Sequence, residues 1–121
     1  MTRPNLSVIL PCYRAAALAR RSADVLSKAL DDTGLSWEVI IVDDGGHDFD
    51  PREWRGSGRV RLLTHESNRG KGAAVRTGML AARGDVRVFT DVDLPFGTEP
   101  LRVMYAYLRE GPFHMVIGDR T

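Results

Sequence analysis

Hydrophobic positions divide the 121-residue chain into short apolar runs and longer amphipathic segments. Short, mainly apolar runs predict strands at residues 6–10, where Pro11 ends the run, and at residues 39–42, 86–90 and 114–117. The run at 39–42 is continuously β-branched, which suits a central strand covered on both faces. An alternating run at 60–64 predicts a shorter strand nearer the sheet edge.

Apolar residues at helical spacing predict three helices between these strands. The first has an apolar stripe and ends near Gly34, a residue suited to a helix C-terminus. That stripe consists of Leu18, Val25, Leu26, Ala29 and Leu30. The second helix covers about residues 73–82, and the third begins after Thr98, a residue that can cap a helix.

The third helix has a predicted buried stripe of Leu101, Met104, Tyr105 and Leu108. Residues 45–59 are polar and predict a loop with one helical turn around 51–54. Alternation of strands and helices predicts one α/β domain, with a mostly parallel sheet of about five strands and helices on both faces.

Composition places the chain among soluble globular domains, with 43% hydrophobic and 27% charged residues. A net charge of +1 argues against a nucleic-acid binder that depends on bulk charge. Cys12 is the single cysteine, so no intrachain disulfide can form, and a reducing compartment fits. No signal-peptide pattern and no apolar run of ~20 residues is present. We expect a cytoplasmic protein that is able to contact the cytoplasmic face of a membrane.

Polar residues follow every predicted strand, at the edge where open α/β sheets bind ligands. The segments are residues 11–14 (PCYR), 43–45 (DDG), 65–66 (HE), 91–93 (DVD) and 119–120 (DR). Aspartates gathered on one rim repel each other, so a purely structural domain has no reason to collect them. The pattern therefore predicts a site for a metal ion and phosphate. The scattered His47, His65 and His114 are predicted not to be ligands.

Asp91 and Asp93 follow the fourth predicted strand one residue apart. In an extended chain their side chains would point the same way. Two close carboxylates favour a hard divalent cation, whose open coordination positions typically go to substrate phosphates. The alternative is a strand followed by an acidic turn.

The segment NRGKG at residues 68–72 opens the second predicted helix. A helix N-terminus offers free N–H groups, and glycines let the backbone approach an anion. Lys71 adds a full positive charge. The segment is not a Walker A sequence, and no GxGxxG follows the first strand, which disfavours nicotinamide and flavin enzymes. The alternative is a helix-entry loop whose glycines are purely steric.

Several of these motifs together resemble the family-2 glycosyltransferases, which have the GT-A fold. They are residues 11–13 (PCY), 42–45 (VDDG), 68–73 (NRGKGA), Gly78, 84–85 (GD) and 91–93 (DVD). The closer likeness is to polyprenyl-phosphate or dolichyl-phosphate hexose synthases. It implies a Rossmann-like three-layer sandwich in which residues 1–121 form the nucleotide-sugar-binding domain and are incomplete relative to the family.

The resemblance also implies roles for residues near the nucleotide. Pro11 and Tyr13 would line the nucleotide pocket, and Asp43 or Asp44 would bind the base and ribose. Lys71 would contact the base or the diphosphate edge. The reaction implied is inverting transfer of a hexose from a UDP- or GDP-sugar, with a polyprenyl phosphate as acceptor.

The same resemblance implies that Asp91 and Asp93 hold Mg²⁺ or Mn²⁺ against the donor diphosphate. Arg120 resembles an arginine that helps to bind phosphate in a Gly-Ser-Arg motif. Asp119 replaces that serine and could neutralise Arg120. Asp48 keeps its place in a segment that otherwise departs from the family's Gly-Ser-x-Asp.

Two other functions are compatible with the sequence. A haloacid-dehalogenase-type phosphatase also carries Asp-x-Asp after an apolar strand, but needs downstream motifs for which little chain remains. A non-catalytic nucleotide-sugar-binding or assembly module needs no base at all. The phosphatase would release free phosphate and the transferase would release nucleoside diphosphate, whereas the module would release neither.

Two expectations follow from the C-terminal segment. The sequence offers no carboxylate free to act as catalytic base, so we expect this chain alone to turn over poorly or not at all. The last predicted strand would leave an unpaired edge, so we expect a homo-oligomer.

Overall fold

The computed structural model describes residues 3–50, 52, 58–95 and 97–110. In this part of the chain the elements are β1 (Leu6–Cys12), α1 (Ala16–Asp31), β2 (Trp37–Asp43), β3 (Val60–Thr64), α2 (Lys71–Ala81), β4 (Val86–Phe89) and α3 (Glu99–Glu110). The strand predicted at 114–117, Arg120 and most of the turn predicted at 51–54 lie outside the described residues.

The four described strands form one parallel sheet in the order β3-β2-β1-β4. β1 is central, with Ile9 opposite Ile40 of β2 and Phe89 of β4. The chain first adds strands on one side of β1 and then crosses to the other side. Open α/β sheets bind ligands beyond the carboxyl ends of the strands at such a reversal. The crevice between the ends of β1 and β4 is therefore the expected position of a ligand.

Helices cover both faces of the sheet, as predicted. Val8 and Leu10 of β1 face the side covered by α1 and α3, in a cluster with Leu26 and Leu101. Ile9 faces the opposite side with Ala74 of α2. Because side chains alternate along β1, the strand contributes to the apolar cores on both faces of the sheet. The predicted three-layer, Rossmann-like GT-A fold is confirmed.

The predicted end of β1 at Pro11 was wrong, because the strand continues to Cys12. Thr90 N–H donates to the carbonyl of Ile9, so alternate residues of β1 from Ile9 onward direct their backbone groups toward β4. The β1–β4 pairing stops at Ile9 and Phe89. Pro11 has no backbone N–H to donate, but it lies beyond the part of β1 that pairs with β4, so no hydrogen bond between the strands is lost.

The predicted stripe of α1 was partly wrong, since Val25 is 52% exposed. The buried residues are Ala19, Ser22, Ala23, Leu26 and Leu30. Small side chains on the buried face let the helix lie close to the sheet. Hydropathy alone does not show that this face, rather than the face that carries Val25, is the buried one. Trp37 is buried in the core shared with α1.

A buried polar network lies at the amino edge of the sheet, opposite the carboxyl edge at which a ligand is expected. Glu38 accepts hydrogen bonds from Ser7 Oγ at 2.6 Å, from the Arg83 N–H at 2.7 Å and from Arg61 Nη2 at 2.9 Å. Burial opposes ionisation of Glu38, but these donors outweigh it and hold its pKa below the usual value. The network ties three strands to the residues that follow α2.

None of the described helices is both long enough and apolar enough to span a membrane.

Candidate functional site

The loop after β1 places an aromatic ring at the carboxyl edge. Tyr13 is 42% exposed, and the Arg14 guanidinium lies 4.9 Å from its ring centroid. Arg14 has a left-handed φ of 52°, which is uncommon outside glycine. Pro11, by contrast, is buried in β1. The exposed Tyr13 ring thus lies just beyond the carboxyl end of β1.

The thiol of Cys12 is not a nucleophile in this crevice. Burial, and then the nearby carboxylates of Asp43, Asp48 and Asp44, raise the pKa of Cys12 to about 12. The thiol is therefore protonated at neutral pH, and nucleophilic chemistry needs the thiolate.

Asp43 shapes the turn after β2. It is 1% exposed; its Oδ1 accepts the Gly46 N–H at 3.0 Å and its Oδ2 accepts the His47 N–H at 3.2 Å. In the same loop, Asp48 Oδ2 accepts the Ala16 N–H at 2.9 Å, at the first residue of α1. The loop after β2 therefore supplies the cap that the residue preceding α1 lacks.

Gly45 brings the loops after β2 and β3 together. Its φ is 84°, and a Cβ there would lie 2.3 Å from the Ser67 carbonyl carbon and 2.4 Å from the Asn68 nitrogen. Both contacts are to backbone, which cannot move aside cheaply. Glycine is therefore required at this position by conformation and by space.

Asp44 holds the segment that leads into α2. The carboxylate is buried, and three donors converge on it: His65 Nδ1 at 2.7 Å, the Arg69 N–H at 2.9 Å and the Gly70 N–H at 2.8 Å. Burial opposes its ionisation, but these hydrogen bonds outweigh burial and hold the pKa of Asp44 below the usual value. Asp44 is therefore an anion that fixes the backbone at residues 69–70.

We expect Asp44→Asn to lower the free energy of unfolding by about 2–3 kcal/mol at pH 7, because hydrogen bonds to a charged group are lost. The folded-state pKa of Asp44 lies below the unfolded value, so its stabilisation is complete above about pH 4 and declines as pH falls through the folded-state pKa. Urea unfolding of both proteins should therefore show a smaller difference at pH 3 than at pH 7. An equal difference at the two pH values would contradict this.

The start of α2 presents an open backbone surface. Gly70 precedes the helix with φ 99° and ψ 160°, and no side chain caps this end. No atom lies within 4 Å of the position that a Cβ on Gly70 or Gly72 would take, apart from chain neighbours. Free N–H groups of a first helical turn, with open space before them, suit an anion.

Lys71 and Asp91 are brought into direct contact across the crevice. The Lys71 ammonium forms an ion pair with the Asp91 carboxylate and lies 6.0 Å from the Phe89 ring centroid. Their side chains are 57% and 31% exposed, and ion pairs at such exposure contribute about 1 kcal/mol or less. A ligand carrying both a metal ion and phosphates can therefore separate the two charges at little cost.

The extended conformation assumed for Asp91 and Asp93 was wrong. β4 ends at Phe89, and residues 91–94 form a turn in which the Leu94 N–H donates to the Asp91 carbonyl at 2.9 Å. Strand alternation therefore does not set the directions of the two carboxylates. Across the described ranges, His, Cys, Asp and Glu residues form no group of three or more that could hold a metal ion. The metal-binding role of Asp91 and Asp93 stays a prediction.

His65 makes a contact with Asp44 that the sequence pattern did not predict. The prediction that His65 is not a ligand stays untested. Both residues follow strands that are neighbours in the sheet, so strand order would have placed them together. Arg120 lies outside the described residues, and its predicted role stays a prediction.

The family model described as "Glycosyl transferase family 2" matches residues 7–121. The parallel sheet, the glycine-rich entry to α2 and the aspartates after β4 all lie within or overlap this matched region. The chain belongs to glycosyltransferase family 2.

Relatives with more specific names match the same region. A dolichyl-phosphate beta-glucosyltransferase of Homo sapiens is 35% identical over 100 residues, which are 74% of this chain and 31% of the human protein. An undecaprenyl-phosphate 4-deoxy-4-formamido-L-arabinose transferase of Aeromonas hydrophila is 33% identical over 74% of this chain and 29% of that protein. The chain thus spans about a third of the length of these curated relatives.

A solved structure shares the fold. It is the mannosyltransferase PcManGT from Pyrobaculum calidifontis in complex with GDP-Man and Mn²⁺. The TM-score is 0.69 at 28% sequence identity, over 93% of this chain and 34% of the mannosyltransferase.

Proposed function

We propose that residues 1–121 form the nucleotide-sugar-binding domain of an inverting hexosyltransferase that uses a nucleoside-diphosphate sugar and a polyprenyl phosphate acceptor. The observation that carries the proposal is the contact between Lys71 and Asp91, which joins an anion-binding helix entry to an acidic turn in the crevice. The relatives named for dolichyl-phosphate and undecaprenyl-phosphate transfer support this acceptor class.

The residues after β4 fit Mg²⁺ or Mn²⁺. Asp91 and Asp93 supply hard oxygen ligands, and Asp93 is exposed at the tip of the turn. Two carboxylates leave coordination positions that substrate phosphates typically complete. When bound, the metal ion would neutralise negative charge on the leaving diphosphate. The complex of PcManGT with GDP-Man and Mn²⁺ supports this assignment.

The chain's own groups would divide the donor between them. The nucleoside would lie against Pro11, Tyr13 and the turn that follows Asp43 and Asp44. The diphosphate would lie at the first turn of α2, where Lys71 and the helix N–H groups counter its charge. Lys71 could exchange its contact with Asp91 for one with the phosphates while staying within the same crevice. Arg120 is proposed as a further phosphate contact.

Several features of the whole protein are proposals of the same kind. No catalytic base is identified among the described residues, so we assign activation of the acceptor to none of them. An acceptor that is already a phosphate anion needs little activation. A site at the cytoplasmic face of a membrane fits a lipid-linked acceptor. The homo-oligomer stays a prediction, because the strand on which it rests lies outside the described residues.

Ligand-induced stabilisation tests the proposal. We expect UDP- or GDP-sugars to raise the unfolding temperature only with Mn²⁺ or Mg²⁺ present, since a ligand at 100 times its Kd adds about 2.7 kcal/mol. dTDP-sugars serve as a third donor class for comparison. Products are then measured with a polyprenyl phosphate present.

Each outcome of this test bears on a different function. Metal-dependent stabilisation with release of nucleoside diphosphate supports the transferase. Stabilisation without any product fits a binding module, and it also fits the low turnover expected of residues 1–121 alone. Free phosphate supports a phosphatase, and the absence of stabilisation by every nucleotide sugar would contradict the proposal.

A further inference from the structure

We propose that His65 is a positioning residue of the donor site, which acts through Asp44 to fix the Arg69–Gly70 backbone beside Lys71. For its ligand the proposal rests on the proposed function. For its geometry it rests on contacts within the chain. His65 itself is 7% exposed and lies behind the segment that would meet the diphosphate.

The ring of His65 joins two elements. Its Nδ1 lies 2.7 Å from Asp44 Oδ1, and its Nε2 lies 2.7 Å from Thr77 Oγ1 on α2. An ionised carboxylate only accepts hydrogen bonds, so Nδ1 carries a proton. In the neutral ring, Nε2 then accepts from the Thr77 hydroxyl. The backbone of His65 is also fixed, because its N–H donates to the Asp43 carbonyl at 2.8 Å.

These contacts hold the helix entry from both sides. Asp44 fixes the N–H groups of Arg69 and Gly70, immediately before the first helical residue, Lys71. Thr77 lies further along the same helix and is fixed by the other nitrogen of the ring. His65 therefore connects the carboxylate that shapes the segment to the helix that carries the lysine.

The arrangement serves ligand binding by preorganisation. Gly70 has a φ of 99°, and apart from its chain neighbours no atom lies within 4 Å of the position of a Cβ, so no contact at that position holds its conformation. The hydrogen bonds from Arg69 and Gly70 to Asp44 do so instead. Loss of the His65 donor leaves a buried carboxylate short of a partner, and that carboxylate must then seek water or other donors. A loosened segment must be ordered again when the ligand binds, which lowers affinity.

The test uses two variants that keep different halves of the ring. In His65→Asn the amide nitrogen can take the place of Nδ1 and donate to Asp44. In His65→Gln the amide nitrogen reaches instead toward the place of Nε2 and Thr77. We expect the glutamine variant to weaken GDP or UDP binding with Mn²⁺ by about tenfold, and the asparagine variant by about threefold or less. Equal losses in both variants, or no loss in either, would overturn the proposal.

Amide hydrogen exchange of the free protein separates this proposal from the proposed function. We expect His65→Gln to speed exchange of the Gly70 N–H at least tenfold, while the Asp44 N–H, which donates to the Cys12 carbonyl, keeps its protection. Exchange that rises equally at both sites indicates general destabilisation and overturns a positioning role. Because no nucleotide is needed, this readout decides the matter even if wild type binds neither GDP nor UDP.

Thr77→Val provides a second variant of nearly the same shape. It removes the partner of Nε2 and leaves the contact between Nδ1 and Asp44 possible. We expect about threefold faster exchange at Gly70. If His65→Gln does not fold, unchanged exchange at Gly70 in Thr77→Val overturns the proposal, and the threefold increase supports it.

Discussion

Asp93→Asn is expected to weaken the Mn²⁺-dependent affinity for a nucleoside diphosphate by about 100-fold or more. Residues that only orient metal ligands already cost ~10–100-fold when they are replaced, so a direct ligand should cost at least as much. The side chain is exposed in the turn after β4, and we expect the fold to survive the change. Calorimetric titration of GDP and UDP, with and without Mn²⁺, measures the effect.

Asp85→Asn is the matched control. It makes the same chemical change at an exposed aspartate that pairs with Arg3, close to the amino edge of the sheet. We expect its nucleotide affinity to equal that of wild type. Equal affinity in Asp93→Asn and wild type would remove Asp93 from the metal site.

Lys71→Met is expected to change two affinities in opposite directions. Nucleoside diphosphate binding should weaken about 10- to 100-fold, because a hydrogen bond to a charged group contributes about 1.5–3 kcal/mol. Binding of Mn²⁺ alone should strengthen by up to about fivefold. Lys71 neutralises Asp91 in the free protein, and releasing an exposed ion pair of about 1 kcal/mol corresponds to that factor.

Lys28→Met removes the chain's other lysine from an exposed position near the end of α1. It should leave both affinities unchanged, which separates the local effect from a change in net charge. The Mn²⁺ affinity is measured by electron paramagnetic resonance of the free ion. Weaker Mn²⁺ binding in Lys71→Met would show that Lys71 and the metal ion do not compete for Asp91.

The strand–helix alternation could be read from the chain because each signal was local. The β-branched run at 39–42 has no helical alternative of adequate length, and it became the core of a strand buried on both sides. The prediction that β1 ends at Pro11 was wrong because it depends on a signal that is not local. A strand can continue through a proline where no neighbouring strand needs its N–H, and that depends on where β4 stops pairing with β1. The face of α1 was similarly decided by contact with the sheet.

The candidate site was predictable as a location and less so as a set of contacts. Strand ends on one edge brought Asp44, Lys71 and Asp91 to the same region, as expected. The direct pairing of Lys71 with Asp91, and the linkage of His65 to Asp44, depend on side chains from separate elements. Residue spacing carries no information about such pairs until strand order is known. The turn at 91–94 depends likewise on where β4 ends.

Nuclear magnetic resonance of the ¹⁵N-labelled chain tests the central claim most directly, that a metal-bound nucleoside diphosphate occupies the carboxyl edge of the sheet. GDP or UDP is added first, and then Mn²⁺, whose unpaired electrons broaden nearby amide signals. We predict nucleotide-dependent broadening centred on residues 91–94 and on Lys71, with Ser7 and Gly84 at the amino edge unaffected. Broadening centred elsewhere, or broadening by Mn²⁺ that neither nucleotide changes, would contradict the claim.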